Sequence, residues 1–582
     1  MFTVLKKLAW FFRMNWKRYT LAIGLLIIVG VIDVIPPKLI GYAIDGIHMG
    51  TLTGTKLVQL LAFWGALIIV GYSLSYVWLY QLFGGAFVLE RVLRSRFMRH
   101  LLRMTPTFYE KYRTGDLMAR ATNDLQAVST TAGFGILTFV DSTLFMLTIL
   151  CMMGFFISWE LTIAAILPLP LMAVAITIYG GRIHKRFTQA QDAFGKMNDS
   201  VLETIAGVRV IRAFVQERAS ERQFGRMTDD VYRKNLAVAV IDALFEPTVK
   251  ILVGLSYLIG LCYGAYLVFH SRLTLGELVS FNTFLGMLIW PMFAIGELMN
   301  IMQRGNASLD RVNETLRYEP DVQDAPQAVM ALQPDSITFD NVTFRYPSSS
   351  IDNLIGLNFR LERGQTLGIV GRTGSGKSTL LKQLLREYPA GQGGTIRIAG
   401  TPIESIAMDA IHSWIGYVPQ EPILFSKTVK ENIMYGGSDG TEEGLMRALE
   451  LAAFRKDVAF LPDGLQTLVG EKGVALSGGQ KQRVSIARAL FTDPEILMLD
   501  DALSAVDAKT EAEIIRGIRT ERAGKTTLIT THRLSAVQHA DWILVLDEGY
   551  VVEEGTHEQL LALGGWYKEQ YERQQIEAQL NA

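Results

Sequence analysis

This chain of 582 residues contains few cysteines and has almost no net charge. The two cysteines, Cys151 and Cys262, lie in apolar runs, where the expectation is a small buried hydrophobic residue rather than a disulfide or a metal ligand. The formal net charge is −1, which argues against nucleic acid as the main partner, because binding a phosphate backbone needs a basic face. The N-terminus also lacks the small-residue cleavage site of a secretory signal peptide.

Hydrophobic residues make up 49% of the chain and are concentrated in its first half. A membrane-spanning helix needs about 20 consecutive, mostly apolar residues. Six stretches satisfy this requirement, at residues 19–45, 57–85, 132–157, 160–180, 247–270 and 276–302. The sequence therefore predicts an all-α membrane domain of six helices over residues 1–317. Because the chain is too long for one hydrophobic core, the more polar remainder is expected to form a separate α/β domain.

The connections between these stretches alternate in length and charge. The loops 86–131 and 181–246 are long and rich in arginine and lysine. The only basic residues that the short loops contain are Lys56 and Arg272. Basic loops stay on the cytoplasmic side of a plasma membrane. Both termini and both long connections are therefore predicted to be cytoplasmic, with the long connections formed by helices that continue out of the bilayer.

Two carboxylates fall within the predicted spans. Asp33 lies just before Pro36, and Asp141 lies in the third span. Charged groups inside a bilayer are costly and often mark a transport pathway. A local hydrogen bond or a position near the interface would also explain them, and the sequence does not separate these possibilities.

The sixth span is rich in aromatic residues and methionine and carries Glu297 near its cytoplasmic end. Such adaptable side chains suit a promiscuous pocket for amphiphilic molecules, although helix packing or lipid contact is the more common reason for them. The residues concerned are Phe281, Phe284, Met287, Trp290, Phe293 and Met299.

A polar segment with three prolines, residues 318–335, is interpreted as a linker to the second domain, residues 336–582. The stretch ITFDNVTFRYP, residues 337–347, alternates like a strand at the edge of a sheet. Its Tyr346 could stack on an adenine ring, since aromatic stacking gives affinity without base specificity.

A glycine-rich loop between a strand and a helix follows. After a predicted strand at 365–370, the loop comprises Gly371, Arg372, Thr373, Gly374, Ser375, Gly376, Lys377, Ser378 and Thr379. Glycines allow successive backbone N–H groups to face phosphates, and the helix that follows adds its positive end. Lys377 is expected to reach the β- and γ-phosphates, and Ser378 is expected to ligate Mg²⁺.

Two adjacent acids end the apolar stretch ILMLDDALSAVD, residues 496–507. Asp500 is placed to help hold Mg²⁺, and Asp501 comes next. A second glycine-rich helix start, LSGGQ at 476–480, lies between this stretch and the first loop. One phosphate-binding loop has no need of a second such feature, but two chains facing head to tail would each close the nucleotide of the other.

These stretches together resemble the ATPase domain of ABC transporters, and the six spans before it resemble the layout of an exporter half-transporter. The resemblance covers essentially the whole chain. It is strongest to subunits of heterodimeric bacterial multidrug exporters. The matching segments are Walker A at 371–379, the Q-loop glutamine Gln420, the X-loop within 467–480, the signature at 476–480, Walker B at 496–500, the D-loop at 504–507, the switch histidine His532, and two intracellular loops at 108–128 and 203–217.

The resemblance implies a role for each residue. Tyr346 would stack on adenine, and residues 371–379 would hold the phosphates of ATP. Mg²⁺ would be held by Ser378, Gln420 and Asp500, while Asp501, Gln420 and His532 would serve hydrolysis. The signature residues would contact ATP bound by a partner chain; they are Ser477, Gly478, Gly479 and Gln480.

Most members of the family have glutamate where Asp501 stands. Aspartate is shorter by one C–C bond, about 1.5 Å, and a displacement of about 1 Å can cost on the order of 10²-fold in rate. The expected function is therefore one subunit of a heterodimeric, ATP-driven exporter of amphiphilic drugs or lipophilic compounds working by alternating access, with a slow ATP site on its own Walker motifs. The alternatives are a flippase for lipids or lipid-linked precursors, and an ATP-gated channel or regulatory subunit.

Overall fold

The structure is a computed structural model that describes residues 3–330, 333–437, 440–470 and 474–580. It divides into two compact units. The first comprises Met1–Leu102 and Thr114–Tyr318, and the second comprises Arg103–Arg113 and Glu319–Ala582. Residues 103–113, which the sequence analysis included in the membrane domain, thus pack with the second unit.

The first unit consists of helices. Among the described residues, five are long and apolar enough to cross a membrane, and the fourth predicted span falls on a shorter apolar helix, Trp159–Met172. The α-helices of this unit are Thr3–Lys7, Ala9–Met14, Trp16–Asp33, Ile35–His48, Gly54–Leu101, Thr114–Ala119, Leu125–Ala132, Phe134–Val140, Met146–Phe156, Trp159–Ile166, Leu169–Ala206, Val208–Ala213, Glu217–Phe269, Leu275–Met287 and Ile289–Arg317. Two π-helical turns, Arg120–Asp124 and Asp141–Phe145, interrupt the helical path.

Three of the predicted spans are interrupted close to a proline. The breaks fall at Val34, at Leu167 and Pro168, and at Leu288; Pro36 and Pro291 lie in the first turns of the helices that follow the first and third of these breaks. Proline has no N–H to donate and clashes with the preceding turn, so it is favoured at the start of a helix, although Pro247 lies inside the helix Glu217–Phe269. The two long cytoplasmic connections are continuations of the helices Gly54–Leu101 and Glu217–Phe269, as the sequence analysis predicted.

The two cysteines differ from expectation. Cys151 is half-buried and Cys262 is exposed, and both are free thiols. They lie on predicted spans, whose outer surfaces are apolar without being buried in the protein. The expectation that both cysteines are buried is therefore wrong for Cys262 and only partly met by Cys151.

The second unit contains two sheets. A sheet of four antiparallel strands has the order β2-β1-β4-β5, and a sheet of six strands has the order β10-β9-β3-β8-β7-β6. The strands are β1 Ser336–Phe344, β2 Leu354–Glu362, β3 Thr366–Gly371, β4 Gly393–Ile398, β5 Thr401–Pro402, β6 Ile415–Val418, β7 Ile496–Asp500, β8 Thr526–Thr530, β9 Trp542–Asp547 and β10 Tyr550–Gly555. The prediction of an edge strand at 337–347 is wrong, because β1 pairs with β2 on one side and β4 on the other.

Several helices of the second unit begin with a capping box, in which a Ser or Thr side chain and a Glu or Gln three residues later satisfy free backbone N–H groups. Thr428, Ser477 and Thr556 act in this way. The α-helices are Pro106–Lys111, Lys377–Leu384, Met408–Trp414, Val429–Met434, Glu442–Leu451, Arg455–Val458, Gly478–Phe491, Ala508–Glu521, His557–Leu563 and Trp566–Leu580, with short 3₁₀ turns at Ile403–Ser405, Gly464–Gln466 and Leu534–Ala536.

The six-stranded sheet determines where the site lies. Strands β3, β6, β7, β8 and β9 are parallel, and β7 and β8 are buried at every residue, as expected for parallel strands covered on both faces. The carboxyl ends of parallel strands meet at one edge, which is where open α/β sheets bind ligands.

Candidate active site

The loop after β3 requires its glycines. Gly371, Gly374 and Gly376 have φ values of +146°, +83° and +103°, a region that other residues rarely adopt. A Cβ on Gly371 would overlap the carbonyl oxygen of Leu546, and one on Gly376 would lie 2.7 Å from the carbonyl oxygen of Asn353. The helix Lys377–Leu384 follows at once with Gly376 as its N-cap, so the loop can direct backbone N–H groups towards an anion.

Lys377 lies inside this loop. Its Nζ donates to the carbonyl oxygens of Gly371, at 3.0 Å, and Arg372, at 2.8 Å. Burial lowers the pKa of Lys377, while the charges of Asp501 and Asp500 oppose that shift. The ammonium group is therefore held between the loop and the two acids, where it can exchange its carbonyl partners for phosphate oxygens.

Asp500 is a buried carboxylate with every oxygen engaged. Its Oδ1 accepts hydrogen bonds from Ser378 Oγ and Thr530 Oγ1, each at 2.7 Å, and its Oδ2 accepts one from Tyr417 at 3.3 Å. Because Ser378 follows β3 and Thr530 and Tyr417 lie on β8 and β6, three strand ends converge on this one side chain. Thr530 and Tyr417 were missed by the sequence analysis, which assigned roles only to Gln420 and His532 in the stretches that contain them.

Asp501 has an unusual backbone conformation. Its φ is +46°, in the left-handed region that Asp and Asn tolerate better than most residues. Its backbone N–H is shared between the carbonyl oxygen of Thr530, at 2.9 Å, and Thr530 Oγ1, at 3.2 Å. Burial raises the pKa of the Asp501 carboxyl, and the nearby His532 counteracts part of that rise.

Gln420 and His532 lie just beyond neighbouring strands. Gln420 is two residues past β6, His532 is two residues past β8, and both are exposed. Burial and the charge of Lys377 lower the pKa of His532, while a hydrogen bond to the backbone of Gly371 opposes the shift. The imidazole of His532 thus lies next to the phosphate-binding loop, and the Gln420 side chain is accessible at the same edge.

Tyr346 is also close to the loop. Its hydroxyl donates to Thr379 Oγ1 at 3.0 Å, and its ring packs edge-on against Phe344 and Tyr388 with centroids 5.0 and 4.9 Å apart. The aromatic ring predicted to stack on a base is therefore fixed in orientation next to Walker A.

The signature residues form the exposed start of the helix Gly478–Phe491. Ser477 Oγ accepts from Gln480 N at 3.3 Å, and Gln480 Oε1 accepts from Ser477 N at 3.0 Å. Ser477 and Gly478 are exposed, and Gly479 packs so closely that a Cβ would lie 2.8 Å from the carbonyl oxygen of Ala505. Within the described residues, the side chains of Ser477 and Gln480 form no hydrogen bond with Walker A of the same chain. Residues 471–473 of the X-loop lie outside the described residues.

A hydrogen-bond network that the sequence analysis missed connects Arg533, the residue after the switch histidine, to the D-loop. Arg533 donates to the carbonyl oxygens of Val506, at 2.8 Å, and Ser504, at 2.9 Å, and to the carboxylate of Glu511 at 2.7 Å. Gln482 of the signature helix binds the same loop, donating to Ser504 Oγ at 3.1 Å. The D-loop is therefore held from both sides by residues next to known motifs.

The Arg103–Arg113 segment contacts the nucleotide-binding fold directly. Phe108 is fully buried, and the carboxylate of Glu110 accepts hydrogen bonds from Tyr388, at 2.8 Å, and Ser348, at 3.1 Å. Thr105 donates to Asp321 at 3.2 Å. Because Tyr388 also packs on Tyr346, this first intracellular loop is one side chain away from the predicted base-stacking residue.

The residues present fit ATP with Mg²⁺. The loop offers backbone donors and one ammonium group, and the hydroxyl of Ser375 is buried with no hydrogen-bond partner in the described residues, as expected of a group that awaits a polar ligand. Ser378 and Asp500 supply the oxygen ligands that Mg²⁺ prefers. When bound, Mg²⁺ and ATP supply the phosphoryl group and the charge that polarises it.

Comparisons with known proteins agree with this geometry. Residues 19–292 match the family model described as "ABC transporter transmembrane region", and residues 354–504 match the model described as "ABC transporter". A solved structure described as a bacterial Atm1-family ABC exporter with ATP bound is similar with a TM-score of 0.79 at 26% identity, covering 96% of this chain and 99% of that one.

Named relatives extend over nearly the full length. A Bacillus subtilis (strain 168) protein named "probable multidrug resistance ABC transporter ATP-binding/permease protein YheI" is 63% identical, covering 99% of this chain and 98% of the relative. The "multidrug resistance-like ATP-binding protein MdlA" of Escherichia coli (strain K12) is 41% identical over 99% of this chain and 97% of its own length. An "ATP-dependent lipid A-core flippase" of Shewanella oneidensis is 32% identical, over 99% and 98%.

Proposed function

The chain belongs to the ABC transporter family as an exporter half-transporter of the plasma membrane that couples ATP hydrolysis to transport, and we propose that it is one subunit of a heterodimeric exporter of amphiphilic compounds. In this proposal its own Walker motifs form the slower of two ATP sites, and its signature completes the faster site on a different partner chain.

The observation on which the proposal depends is the presence of an aspartate, Asp501, directly after Walker B. A glutamate is usual in the family at this position, and the shorter aspartate is combined here with a left-handed backbone, φ +46°. The carboxyl is also less readily ionised than normal, because burial raises its pKa. A carboxylate that is short of the reacting atoms supports hydrolysis only slowly, while Asp500 and Lys377 remain in place to bind ATP.

Two surfaces support the need for a second chain. The signature residues Ser477 and Gly478 are exposed at the start of their helix. The tip of the second intracellular loop exposes a run of large apolar side chains, which a soluble surface rarely leaves uncovered. These are Ile205, Val208, Val210, Phe214 and Val215, between 47 and 79% exposed.

In the proposed mechanism the backbone N–H groups after Gly371 and the ammonium of Lys377 bind and orient the phosphates. Ser378 and Asp500 position the metal, and Gln420 and His532 approach the terminal phosphate from neighbouring strand ends. Closure of the two nucleotide-binding units against each other would be transmitted to the membrane helices through the loop that contains Phe108 and Glu110. Binding then selects the outward-open state and hydrolysis releases it.

The decisive experiment compares the chain alone with the chain paired with its partner. We expect the purified chain alone to bind ATP but hydrolyse it slowly and without cooperativity, and the pair to hydrolyse it rapidly. Brisk, cooperative ATPase activity from the chain alone would contradict the heterodimer.

Two substitutions of Asp501 test whether this chain's own ATP site is the slower one within the assembled transporter. Asp501→Glu is expected to shorten the time for which ATP stays trapped at this site and to raise its turnover. Asp501→Asn keeps the length and removes the charge, and it is expected to leave trapping intact and total turnover nearly unchanged. If both variants behaved like the unmodified pair, the length of this side chain would have no role.

A second candidate is lipid translocation, favoured by the 32% identity to a lipid A-core flippase. Vesicles containing the assembled transporter and a fluorescently labelled lipid separate the two. ATP-dependent movement of the lipid between leaflets, without efflux of an amphiphilic dye, would select the flippase.

A further inference from the structure

The predicted linker is attached to the second unit almost from its start. The last long helix of the first unit ends at Arg317. Asp321 accepts a hydrogen bond from Thr105 at 3.2 Å, and the next side chain, Val322, is 7% exposed. Only residues 318–320 therefore lie between the end of this helix and a segment that is fixed to the nucleotide-binding fold.

Arg386 binds the following part of the linker with both terminal nitrogens of its guanidinium group. Nη2 donates to the carbonyl oxygen of Gln323, and Nη1 donates to Asp324 Oδ1, each at 3.2 Å. Nη1 also donates to the carbonyl oxygen of Ile406. Asp324 Oδ1 accepts a second hydrogen bond, from the backbone N–H of Met408 at 3.0 Å. One arginine side chain thus joins the linker to the segment that contains Ile406.

A short backbone pairing continues this attachment further along the linker. The N–H of Val329 donates to the carbonyl oxygen of Ser405 at 2.8 Å, and the N–H of Ala407 donates to the carbonyl oxygen of Val329 at 3.0 Å. The contacts of Arg386 are therefore bordered on one side by the bond to Asp321 and on the other by this pairing, so Arg386 holds the middle of an attached segment.

The backbone of Arg386 has a conformation that needs support. Its φ is +51°, and the N–H of Glu387 donates to the carbonyl oxygen of Lys382 at 3.2 Å, as in helix ends whose left-handed position is usually glycine. The side chain is 6% exposed, and a buried charge requires partners. Such local strain persists only where the surrounding structure fixes it, and the linker supplies much of that surrounding structure.

The position of Arg386 relates the linker to the nucleotide site. The helix Lys377–Leu384 begins with the Walker A lysine and ends two residues before Arg386. At 1.5 Å per residue this helix is about 12 Å long, which is short enough to move as one rigid body. A displacement of the phosphate-binding loop is therefore transmitted along the helix to the residue that holds the linker.

We propose that Arg386 is a positioning residue that couples the nucleotide site to the sixth predicted span, by fixing linker residues 321–324 to the end of the helix that starts at Walker A. This connection is separate from the one through Glu110 in the loop 103–113. It depends on the coupling of ATP hydrolysis to transport and not on whether the partner is a different chain, so failure of the heterodimer proposal would leave it intact.

The test is hydrogen exchange, followed by mass spectrometry, on the full chain in its assembled transporter. Exchange is compared with and without adenylyl imidodiphosphate, a non-hydrolysable analogue of ATP, and Mg²⁺. In the unmodified protein we expect the analogue to change exchange at the cytoplasmic end of the helix Ile289–Arg317. Asp324→Ala and Arg386→Lys are each expected to reduce this response about fivefold, a typical size for the coupling between two sites. Lysine keeps the charge but loses the planar fork.

Binding of the analogue itself provides a second measurement. We expect both variants to bind it with unchanged or higher affinity, because neither residue lies in the phosphate-binding loop and the nucleotide no longer has to move the span. The loop 103–113 should keep its response, since the bond between Glu110 and Tyr388 is untouched.

Glu319→Ala is the matched control. It removes another exposed carboxylate from the same linker, one that forms no ion pair within the described ranges, and it should leave the response of the span unchanged. In Asp324→Ala without nucleotide, exchange should rise at Met408, whose N–H loses its acceptor. Asp324 is exposed, so this variant decides the question even if Arg386→Lys does not fold.

Four outcomes would overturn the proposal. The first is a full response of the span in Asp324→Ala although exchange at Met408 has risen. The second is loss of the response in the loop 103–113 as well as in the span, because Arg386 would then support the nucleotide-binding fold as a whole. Unchanged exchange at Met408 would refute the contact. Absence of any response in the unmodified transporter would refute coupling to this span, whatever the identity of the partner.

Discussion

The side-chain amide of Gln574 holds the backbone at His532. Its Nε2 donates to the carbonyl oxygen of His532 at 2.8 Å, and its Oε1 accepts from the backbone N–H of Leu534 at 2.9 Å. Gln574 lies on the C-terminal helix Trp566–Leu580, which is anchored by the fully buried Tyr567. The switch histidine is therefore positioned by a helix some forty residues further along the chain.

Gln574→Ala is expected to reduce the maximal ATPase rate of the assembled transporter several-fold with little change in the KM for ATP. The reason is that the variant loosens the backbone that carries His532 and leaves the phosphate-binding loop intact, and a loss of position acts on the chemical step. Steady-state kinetics would measure both parameters.

The neighbouring Gln575 provides the matched control for this substitution. It is exposed, so Gln575→Ala should leave both parameters unchanged. A rise in KM with an unchanged maximal rate in Gln574→Ala would show that the amide supports nucleotide binding instead.

Arg533 and Glu511 form a pair in which removal of one member should cost more than removal of both. Glu511 is 3% exposed and accepts from Arg533 at 2.7 Å and from Ser535 at 2.9 Å. Arg533→Ala leaves a buried carboxylate without its cation, for which a loss of about 2–3 kcal/mol in unfolding free energy is expected after allowing for the partial exposure of Arg533. Adding Glu511→Gln should restore much of the loss.

Thermal unfolding of the single and double variants measures this coupling. Arg519→Ala removes an exposed arginine from the same helix as Glu511 and should change stability by less than about 0.5 kcal/mol. Additive losses in the double variant would mean that the two residues act independently.

Asp501 leads to a prediction about pH. Burial raises the pKa of its carboxyl in the folded protein, so the folded state binds its proton more tightly than the unfolded state. Stability contributed by this group therefore falls as pH rises from the unfolded pKa, about 3.9, through the raised folded pKa. Without nucleotide, Asp501→Asn should melt at a higher temperature than the unmodified protein at pH 7, and the difference should vanish near pH 4.

The direction of this difference is decisive. If Asp501→Asn were less stable at pH 7, the carboxylate would be stabilised in its ionised form by His532 and Lys377, and burial would not be the dominant influence. Asp500→Asn is not a suitable comparison, because Asp500 accepts three side-chain hydrogen bonds.

The sequence predicted those parts of the molecule that depend on local pattern. The glycine-rich loop, its lysine and the two acids are contiguous motifs, and the structure brings them to one sheet edge because β3 and β7 are parallel strands on either side of β8. Five of the six spans correspond to long apolar helices. Their interruptions could also have been predicted, because Pro36, Pro168 and Pro291 lie at or just after the breaks.

Other parts depend on which strands become neighbours, and composition does not encode that. Strand β1 has the alternation of an edge strand, yet β4 covers its second side. Thr530, Tyr417 and Gln574 are ordinary residues in sequence and gain a role only because tertiary packing brings their side chains to Asp500 or His532. The left-handed backbone of Asp501 could not be inferred either, since aspartate also occupies ordinary conformations.

The close contact between the helices Ile35–His48 and Leu275–Met287 provides a last prediction. A Cβ on Gly276 would overlap the carbonyl oxygen of Gly41 and lie 2.7 Å from the carboxylate of Asp45, which accepts from the backbone N–H of Gly276 at 2.7 Å. Small residues let helices in membranes approach this closely. Gly276→Ala is therefore expected to destabilise the membrane unit by about 1–3 kcal/mol.

Thermal unfolding in detergent would measure this loss, with the fraction of protein that remains monodisperse at each temperature as the readout. Gly24→Ala is the control, because a Cβ on Gly24 meets nothing within 4 Å and alanine is the better helix former by about 1 kcal/mol. It should leave stability unchanged or raise it. Equal stability of the two variants would mean that the helices separate at this point without cost, and that the contact between Gly41 and Gly276 does not hold the first and sixth spans together.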